Sequence, residues 1–157
     1  LANHSFVNCE NINSILKENK FTGNIGLLSI DVDGNDYWIW KSINIIDPDI
    51  VIIEYNARYG KKKSITIPYD PNFVRGKNKH FLYFGASLKA LVKLGKSKGY
   101  DLVCTNKNGN NAFFVKTNLL NDKIRSGEID KKFHKNKFTE TEDDFEFNFD
   151  SFKFEEV

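Results

Sequence analysis

The chain of 157 residues contains no methionine, only two cysteines and no long apolar run. Cys9 and Cys104 are too few for a disulfide framework and lack the spacing of a zinc site, which fits a reducing, cytoplasmic environment. No stretch approaches the roughly 20 apolar residues that a membrane-spanning helix needs, and no signal peptide is visible. Because even the first position is not methionine, we expect that further residues precede Leu1 in the natural protein.

The chain also lacks a strong excess of charge. It has 23 basic and 21 acidic residues, and the net charge of +2 is too small to indicate nucleic-acid binding. Hydrophobic residues make up 40% and aromatic residues 14%, a composition that excludes an intrinsically disordered chain. The length is sufficient for one domain with a core.

The first apolar segments predict a strand, a helix and a second strand. Residues 25–32, "IGLLSIDV", form a short, nearly continuous apolar run, as expected for a strand buried on both faces. Asn35 or Asp36 is expected to cap a helix over about residues 36–46. Residues 49–56, "DIVIIEYN", are rich in β-branched side chains and predict a second buried strand. Such a βαβ unit implies parallel strands with a right-handed crossover.

A second helix and a hairpin are predicted further along the chain. Ser87 is expected to cap a helix that ends at Gly99. Two β-rich segments within residues 100–116 flank "NKNGNN", which is typical of a hairpin turn.

The connection over residues 56–85 has no clear period, and a connection of that length is usually functional or mobile. Its charge is strongly basic, since seven cations face one acid, Asp70. This excess favours an anionic ligand, such as a sugar phosphate or nucleotide-sugar, or the acidic tail of the same or another chain. The seven cations are Arg58, Lys61, Lys62, Lys63, Arg75, Lys77 and Lys79.

The end of the chain differs in composition from the rest. Residues 139–157 contain eight acids and one lysine. Phe145, Phe147 and Phe149 alternate with polar residues, which is the period of a strand. We therefore divide the chain into a domain over residues 1–120 and a charged aromatic extension over 121–157. The extension is expected to add a strand to an open sheet edge, with a homo-oligomer as one outcome.

Polar side chains follow each of the two predicted strands. Asp31 and Asp33 lie at the carboxyl end of the first strand, and Glu54 and Asn56 lie at the carboxyl end of the second. Ligands of open parallel sheets bind beyond these carboxyl ends, and Mg²⁺ prefers oxygen ligands of this kind. The sequence therefore predicts a metal site there. Asp31 and Glu54 are the strongest candidates, because carboxylates that end apolar strands are poor packing choices.

A simpler interpretation accounts for some of the polar residues after the first strand. Asn35 and Asp36 suit the start of a helix, where acids are favoured and a side-chain oxygen caps the first amides. The scattered histidines show no ligand spacing. Only His80, in the basic connection, is a candidate general base.

The motifs of this chain resemble a known family. "LLSIDVDGND", residues 27–36, looks like the Ile-Asp-Val-Glu-Gly-x-Glu signature of FkbM-like S-adenosylmethionine-dependent methyltransferases, and "NAFFVK", residues 111–116, resembles their closing strand. The similarity is greatest to an uncharacterised branch and covers about residues 5–117. It implies an α/β fold that is the second half of a Rossmann-like methyltransferase domain. The sheet would have strand order 4-5-7-6, mostly parallel with one antiparallel strand, flanked by helices.

The resemblance also implies a chemistry. Methyl transfer from S-adenosylmethionine to a hydroxyl, on a saccharide or another small molecule, would be assisted by Mg²⁺ or Mn²⁺. In this sequence Asp31, Glu54 and His80 would be catalytic. The cofactor would contact Asp33, Gly34 and Asp36, and the matching metal ligands are Asp31, Asp33, Glu54 and Asn56.

The sequence departs from the family pattern in two ways. Asp33 and Asp36 replace the two glutamates of the signature. The glycine-rich first loop and the ribose-binding acid are absent from these 157 residues, so the resemblance implies weak cofactor binding by the chain alone.

Two other functions fit the same residues. Asp31 and Asp33 form an Asp-x-Asp pair after a strand, as in metal-dependent glycosyltransferases that bind a nucleotide-sugar diphosphate. The chain could instead act as a non-catalytic Rossmann-like interaction module that dimerises through the acidic extension.

Overall fold

A computed structural model describes residues 4–77, 80–137 and 148–157 of the chain. In these residues, the helices are α1 (Ile12–Glu18), α2 (Asp36–Ser42), α3 (Leu88–Ser97) and α4 (Ile129–Lys132). The strands are β1 (Gly23–Ile30), β2 (Ile46–Glu54), β3 (Ile65–Thr66), β4 (Tyr100–Thr105), β5 (Asn111–Lys116) and β6 (Glu155–Glu156). The longest of these helices, α3, has 10 residues and is far too short to cross a membrane.

Four strands form one mixed sheet in the order β1-β2-β5-β4. The first two are parallel, and β5 runs antiparallel to both β2 and β4. Three strands therefore run in one direction and one in the other. The prediction of a mixed α/β fold with helices beside the sheet is confirmed. The spatial order also matches the predicted order 4-5-7-6 when these four strands are numbered 4, 5, 6 and 7 along the chain.

Trp40 of α2 packs against Phe114 of β5, with ring centroids 5.0 Å apart. Trp40 is 1% exposed and also contacts Tyr100 of β4. A Cβ atom on Gly95 of α3 would lie 3.0 Å from both the Trp40 and the Phe114 ring. The buried face of α3 thus includes a glycine because two aromatic rings press against the helix at that point.

The predicted ends of α3 and of the hairpin are confirmed. The Ser87 hydroxyl accepts a hydrogen bond from the Ala90 amide at 3.2 Å, as a capping serine does. Gly99 follows the helix with φ of +85°, a conformation that favours glycine. Strands β4 and β5 pair directly after it.

Two boundary predictions are wrong. Helix α2 ends at Ser42 rather than near residue 46, and Ile46 begins β2, where it pairs with Gly23. Ile43 is already extended, so its buried side chain belongs to the turn into the strand. Isoleucines continue from the helix into the strand, so the sequence pattern does not show where the helix ends. Isoleucine occurs in buried helices and in buried strands alike.

Strand β1 is not buried on both faces as predicted. It lies at the edge of the sheet, and the Leu27 side chain is 52% exposed. Only Ile30 of this strand is fully buried. An apolar run therefore indicates a strand here without indicating that both of its faces are covered.

The C-terminal extension folds back on its own chain. Strand β6 pairs antiparallel with β3, and Phe154 contacts Tyr59 with ring centroids 5.1 Å apart. The predicted alternation at Phe145 and Phe147 lies outside the described residues. Phe149 belongs to a 3-10 turn instead of a strand. Strand addition thus occurs within the chain, at β3, and the homo-oligomer remains a prediction.

Candidate metal centre

Three carboxylates meet at the carboxyl edge of the parallel strand pair. Ile30 of β1 stands beside Ile53 of β2, so the residues that follow lie next to each other. One carboxylate oxygen from each of Asp31, Asp36 and Glu54 lies within 4.8 Å of the other two. The structure therefore brings the predicted pair Asp31 and Glu54 together and adds Asp36. We call these three residues the carboxylate triad.

Asp36 is held by the turn that precedes its own helix. Its Oδ1 accepts a hydrogen bond from the Val32 amide and its Oδ2 from the Gly34 amide, both at 3.0 Å. These bonds fold the turn back over the start of α2 and leave Asp36 only 1% exposed. The capping hypothesis is wrong in its mechanism, since the Asn35 side chain makes no cap bond and donates instead to the Asp70 carbonyl.

Glu54 is the least satisfied member of the triad. Its side chain is buried, with 9% exposure, and its Oε2 atom has no hydrogen-bond partner among the described residues. Burial, followed by the negative charges of Asp36 and Asp31, raises the pKa of Glu54 to about 8. At neutral pH the carboxyl of Glu54 therefore holds a proton unless a cation replaces it.

The other two members have smaller shifts with the same main cause. Burial raises the pKa of Asp36 to about 6, although the hydrogen bonds from Val32 and Gly34 oppose the rise. Burial and the neighbouring Asp33 charge raise the pKa of Asp31. Three carboxylates this close cannot all be ionised without a nearby positive charge, so the triad has the chemistry of a site for a proton or a cation.

Asp33, a predicted metal and cofactor ligand, is directed away from the triad. Its backbone has φ of +55°, which is unusual for a residue other than glycine. Its Oδ1 pairs with the Nη1 of Arg75 at 3.0 Å. The Arg75 guanidinium stacks on Phe84 at 3.6 Å and on Phe81 at 4.3 Å. Asp33 therefore pairs with Arg75 in this structure, and a joint Asp-x-Asp site of Asp31 and Asp33 remains a prediction.

Two further predicted site residues have structural roles. Asn56, a predicted metal ligand, donates from Nδ2 to the Leu82 and Phe84 carbonyls, and its Oδ1 accepts from the Arg58 amide. Gly34, a predicted cofactor contact, lies under Phe73, and a Cβ atom there would lie 2.3 Å from that ring. Hydrogen bonds to the backbone thus account for an asparagine at position 56, and close packing accounts for a glycine at position 34.

His80, the predicted general base, is not a member of the triad. Its Nδ1 accepts a hydrogen bond from the Leu82 amide at 3.2 Å, and its ring faces Phe152 with centroids 6.4 Å apart. A role for His80 in catalysis remains a prediction.

No family model, curated protein or solved structure matches this chain. The geometry of the triad therefore has to support any functional proposal, together with the motifs of the sequence.

One residue near the triad, Arg75, was not singled out from the sequence. Arg75 lies 42 positions after its partner Asp33, and the only signal for it was the general excess of basic residues in the connection.

Proposed function

We propose that this chain is the cation-binding part of a methyltransferase that methylates a hydroxyl group of a small molecule such as a saccharide. The observation that carries the proposal is the buried Glu54 Oε2 atom, which lacks a partner among the described residues and belongs to a carboxylate that faces two others. The choice of reaction rests on the resemblance of "LLSIDVDGND" to the FkbM-like signature.

The fold is compatible with this proposal. The order β1-β2-β5-β4, with β5 antiparallel, is the order expected for the second half of a Rossmann-like methyltransferase sheet. Sheets of that kind bind ligands beyond the carboxyl ends of their parallel strands, where the triad lies. Fold alone does not define function, so the donor atoms must also suit the ligand.

The donor atoms suit a divalent cation. Mg²⁺ and Mn²⁺ prefer oxygen ligands, and the triad supplies three carboxylates from two strand ends and a helix start. A cation would satisfy the unpartnered oxygen of Glu54 and relieve the repulsion among the three groups. Asp36 and Glu54 are buried whereas Asp31 is exposed, so the site opens to solvent on the side of Asp31.

The residues of the triad would have different roles in cation binding and in proton transfer. Asp36 and Glu54 would hold the cation from the buried side, and the turn amides of Val32 and Gly34 fix Asp36 in place. Asp31, at the open side, orients the substrate hydroxyl and accepts its proton as the oxygen bonds to the methyl carbon. The cation would polarise that hydroxyl and lower its pKa. The methyl group would come from the sulfonium of S-adenosylmethionine, whose carbon–sulfur bond breaks in the same step.

Cation binding can be tested by calorimetric titration with Mn²⁺ at about pH 8, where the Glu54 carboxyl ionises readily. We expect one site in the unaltered chain and at least about tenfold weaker binding in Glu54→Gln. Glu18→Gln is the matched control, because it makes the same chemical change at an exposed position at the end of α1. Unchanged Mn²⁺ affinity in Glu54→Gln would refute the assignment of the triad.

Methyl transfer needs a separate test. In the presence of saturating Mg²⁺, the full-length natural protein is titrated with S-adenosylmethionine and with S-adenosylhomocysteine. The proposal expects measurable binding of both. If neither binds, with or without Mg²⁺, the methyltransferase assignment fails, even where the cation site itself is retained.

A further inference from the structure

Four lysines line a cavity on a face of the molecule other than the triad. The cavity has a volume of about 680 Å³, within the range of about 300–1,000 Å³ that is usual for small-molecule sites. Lys62 and Lys63 come from the segment before β3, and Lys89 and Lys93 come from α3. The opposite wall belongs to the C-terminal segment and is formed mainly by Asp150, Phe152, Phe154 and Glu156. We call this space the lysine cavity.

The charge of the lysine cavity is only partly compensated. Lys62, Lys89 and Lys93 form no ion pair with a carboxylate of residues 4–77, 80–137 or 148–157. The neighbouring Lys61 does form one, with Asp130 at 2.7 Å. Among the described residues, four lysine and two acidic side chains line the space, so its side-chain lining is positive overall.

Two of these lysines are fixed by bonds to main-chain oxygens. The Nζ of Lys89 donates to the Lys62 carbonyl at 3.1 Å, and the Nζ of Lys93 donates to the main-chain oxygen of Val157 at 2.8 Å. Because the Lys62 peptide carbonyl is uncharged, the ammonium group of Lys89 keeps most of its ability to attract an anion. Their spacing of four residues places both on the same side of α3.

The far wall of the lysine cavity is held mainly by contacts that involve no charge. Ile65 of β3 pairs with Glu156 of β6, and the Val157 amide donates to the Ser64 carbonyl at 3.0 Å. Phe152 stacks on Tyr83 with ring centroids 4.7 Å apart. Strand pairing, aromatic packing and the Lys93 bond to Val157 hold this wall, so the Lys62 and Lys89 side chains are not required for its attachment.

We infer that the lysine cavity binds a phosphate-bearing small molecule with a hydroxylated ring, such as a sugar phosphate or a nucleotide. Lysine ammonium groups form strong, charge-assisted hydrogen bonds with phosphate oxygens. The Phe152 and Phe154 side chains provide an apolar surface for the ring. Asp150 and Glu156 can accept hydrogen bonds from its hydroxyl groups. This inference does not depend on the proposed function, because it uses no residue of the triad.

Calorimetric titration tests this inference with ADP and glucose 1-phosphate as probes and with adenosine and glucose as uncharged controls. At low salt, we expect at least one phosphorylated probe to bind and its uncharged counterpart to bind at least about tenfold more weakly. The double variant Lys62→Gln/Lys89→Gln should weaken binding of the phosphorylated probe at least about tenfold. Lys17→Gln/Lys96→Gln is the matched control, since it removes the same charge from α1 and from a part of α3 outside the cavity.

Three results would overturn the inference. They are failure of both phosphorylated probes to bind, equal weakening by the two double variants, and undiminished binding in Lys62→Gln/Lys89→Gln. Circular dichroism and thermal melting establish that each variant is folded. If the double variant is unstable, Lys62→Gln alone replaces it, because only the main chain of Lys62 takes part in the Lys89 bond.

Discussion

The carboxylate triad and the lysine cavity are two charged regions that differ in the sign of their charge and in their burial. The triad collects like charges in a buried place, where Asp36 is 1% and Glu54 is 9% exposed. The lysine cavity collects like charges where three of its four lysines are exposed. Burial makes the charge of the triad costly and dependent on pH, whereas the charge of the lysine cavity is permanent near neutral pH but screened by salt.

The comparison teaches how each region can select a ligand. In the buried triad, a proton and a divalent cation compete for the same carboxylates, so the site responds to pH and to metal. In the exposed cavity, an anion competes with salt, so the response is to ionic strength. Variants that alter only one of these responses can therefore test the two regions independently.

The largest effect is expected from Glu54→Gln on the pH dependence of stability. The pKa of Glu54 is about 8 in the folded chain, against an ordinary value of 4.5. A group with a raised folded pKa stabilises the fold fully below its unfolded pKa and ceases to do so as pH rises through its folded pKa. The free energy of unfolding without metal should therefore fall between about pH 4.5 and about pH 8, by about 1.4 kcal/mol per pH unit at the steepest.

Glu54→Gln removes this titration and should leave the protein several kcal/mol more stable than the unaltered chain at pH 9 in chelator. Urea denaturation at a series of pH values measures the difference. Glu18→Gln, at an exposed position, should keep the original pH dependence. A parallel loss of stability in Glu54→Gln and in the unaltered chain would show that the Glu54 carboxyl is ionised in the folded protein at neutral pH.

The next largest effect concerns the packing beside the triad. In Gly34→Ala, the new methyl group would lie 2.3 Å from the Phe73 ring, so the ring or the turn must move. We expect a loss of about 1–3 kcal/mol of stability and weaker Mn²⁺ binding, since the Gly34 amide holds Asp36. Gly26→Ala is the control, because a Cβ atom at Gly26 has no heavy atom within 4 Å. Thermal melting compares the two variants, and recovery in Gly34→Ala/Phe73→Ala would identify the clash as the cause.

The sequence predicted the sheet better than it predicted the site. Apolar runs and the hairpin turn are local signals, and they were enough to predict all four strands of the main sheet, whereas the spatial order was predicted from the family resemblance. The ends of α2 and the exposure of β1 were missed for a different reason. They depend on what packs against each segment, which a hydrophobic run does not record.

The composition of the triad depends on contacts that are distant in sequence or hidden in backbone geometry. Asp31 and Glu54 were predictable, because parallel strands end at the same edge. Asp33 was predicted as a ligand, but its left-handed backbone directs it to Arg75, 42 positions later. Asp36 was expected to contact cofactor or to cap a helix, and its bonds to Val32 and Gly34 instead place it in the triad.

Salt should weaken ligand binding at the two regions by different amounts, with about a tenfold loss of affinity at the lysine cavity. Raising ionic strength from about 50 mM to about 500 mM should weaken binding of a phosphorylated probe to the lysine cavity at least about tenfold. Mn²⁺ binding to the triad should weaken less, because two of its carboxylates are buried and poorly screened. Titrations of both ligands over a salt series, with chloride as the common anion, measure the two slopes. Equal slopes would place both sites in the same solvent-exposed environment.

The smallest effect is expected from Arg75, whose positive charge acts on Asp31 and Glu54. Its charge lowers the pKa of Glu54, but burial and the charge of Asp36 have larger effects in the opposite direction. Arg75→Gln should therefore move the midpoint of the Glu54 titration slightly above about 8, and Arg75→Lys should leave it nearly unchanged. Carbon-13 NMR of the glutamate carboxyl groups follows that midpoint. If both variants shift it equally, the planar stacking of Arg75 on Phe81 and Phe84, rather than its charge, is what tunes Glu54, because lysine retains the charge but cannot form that stack.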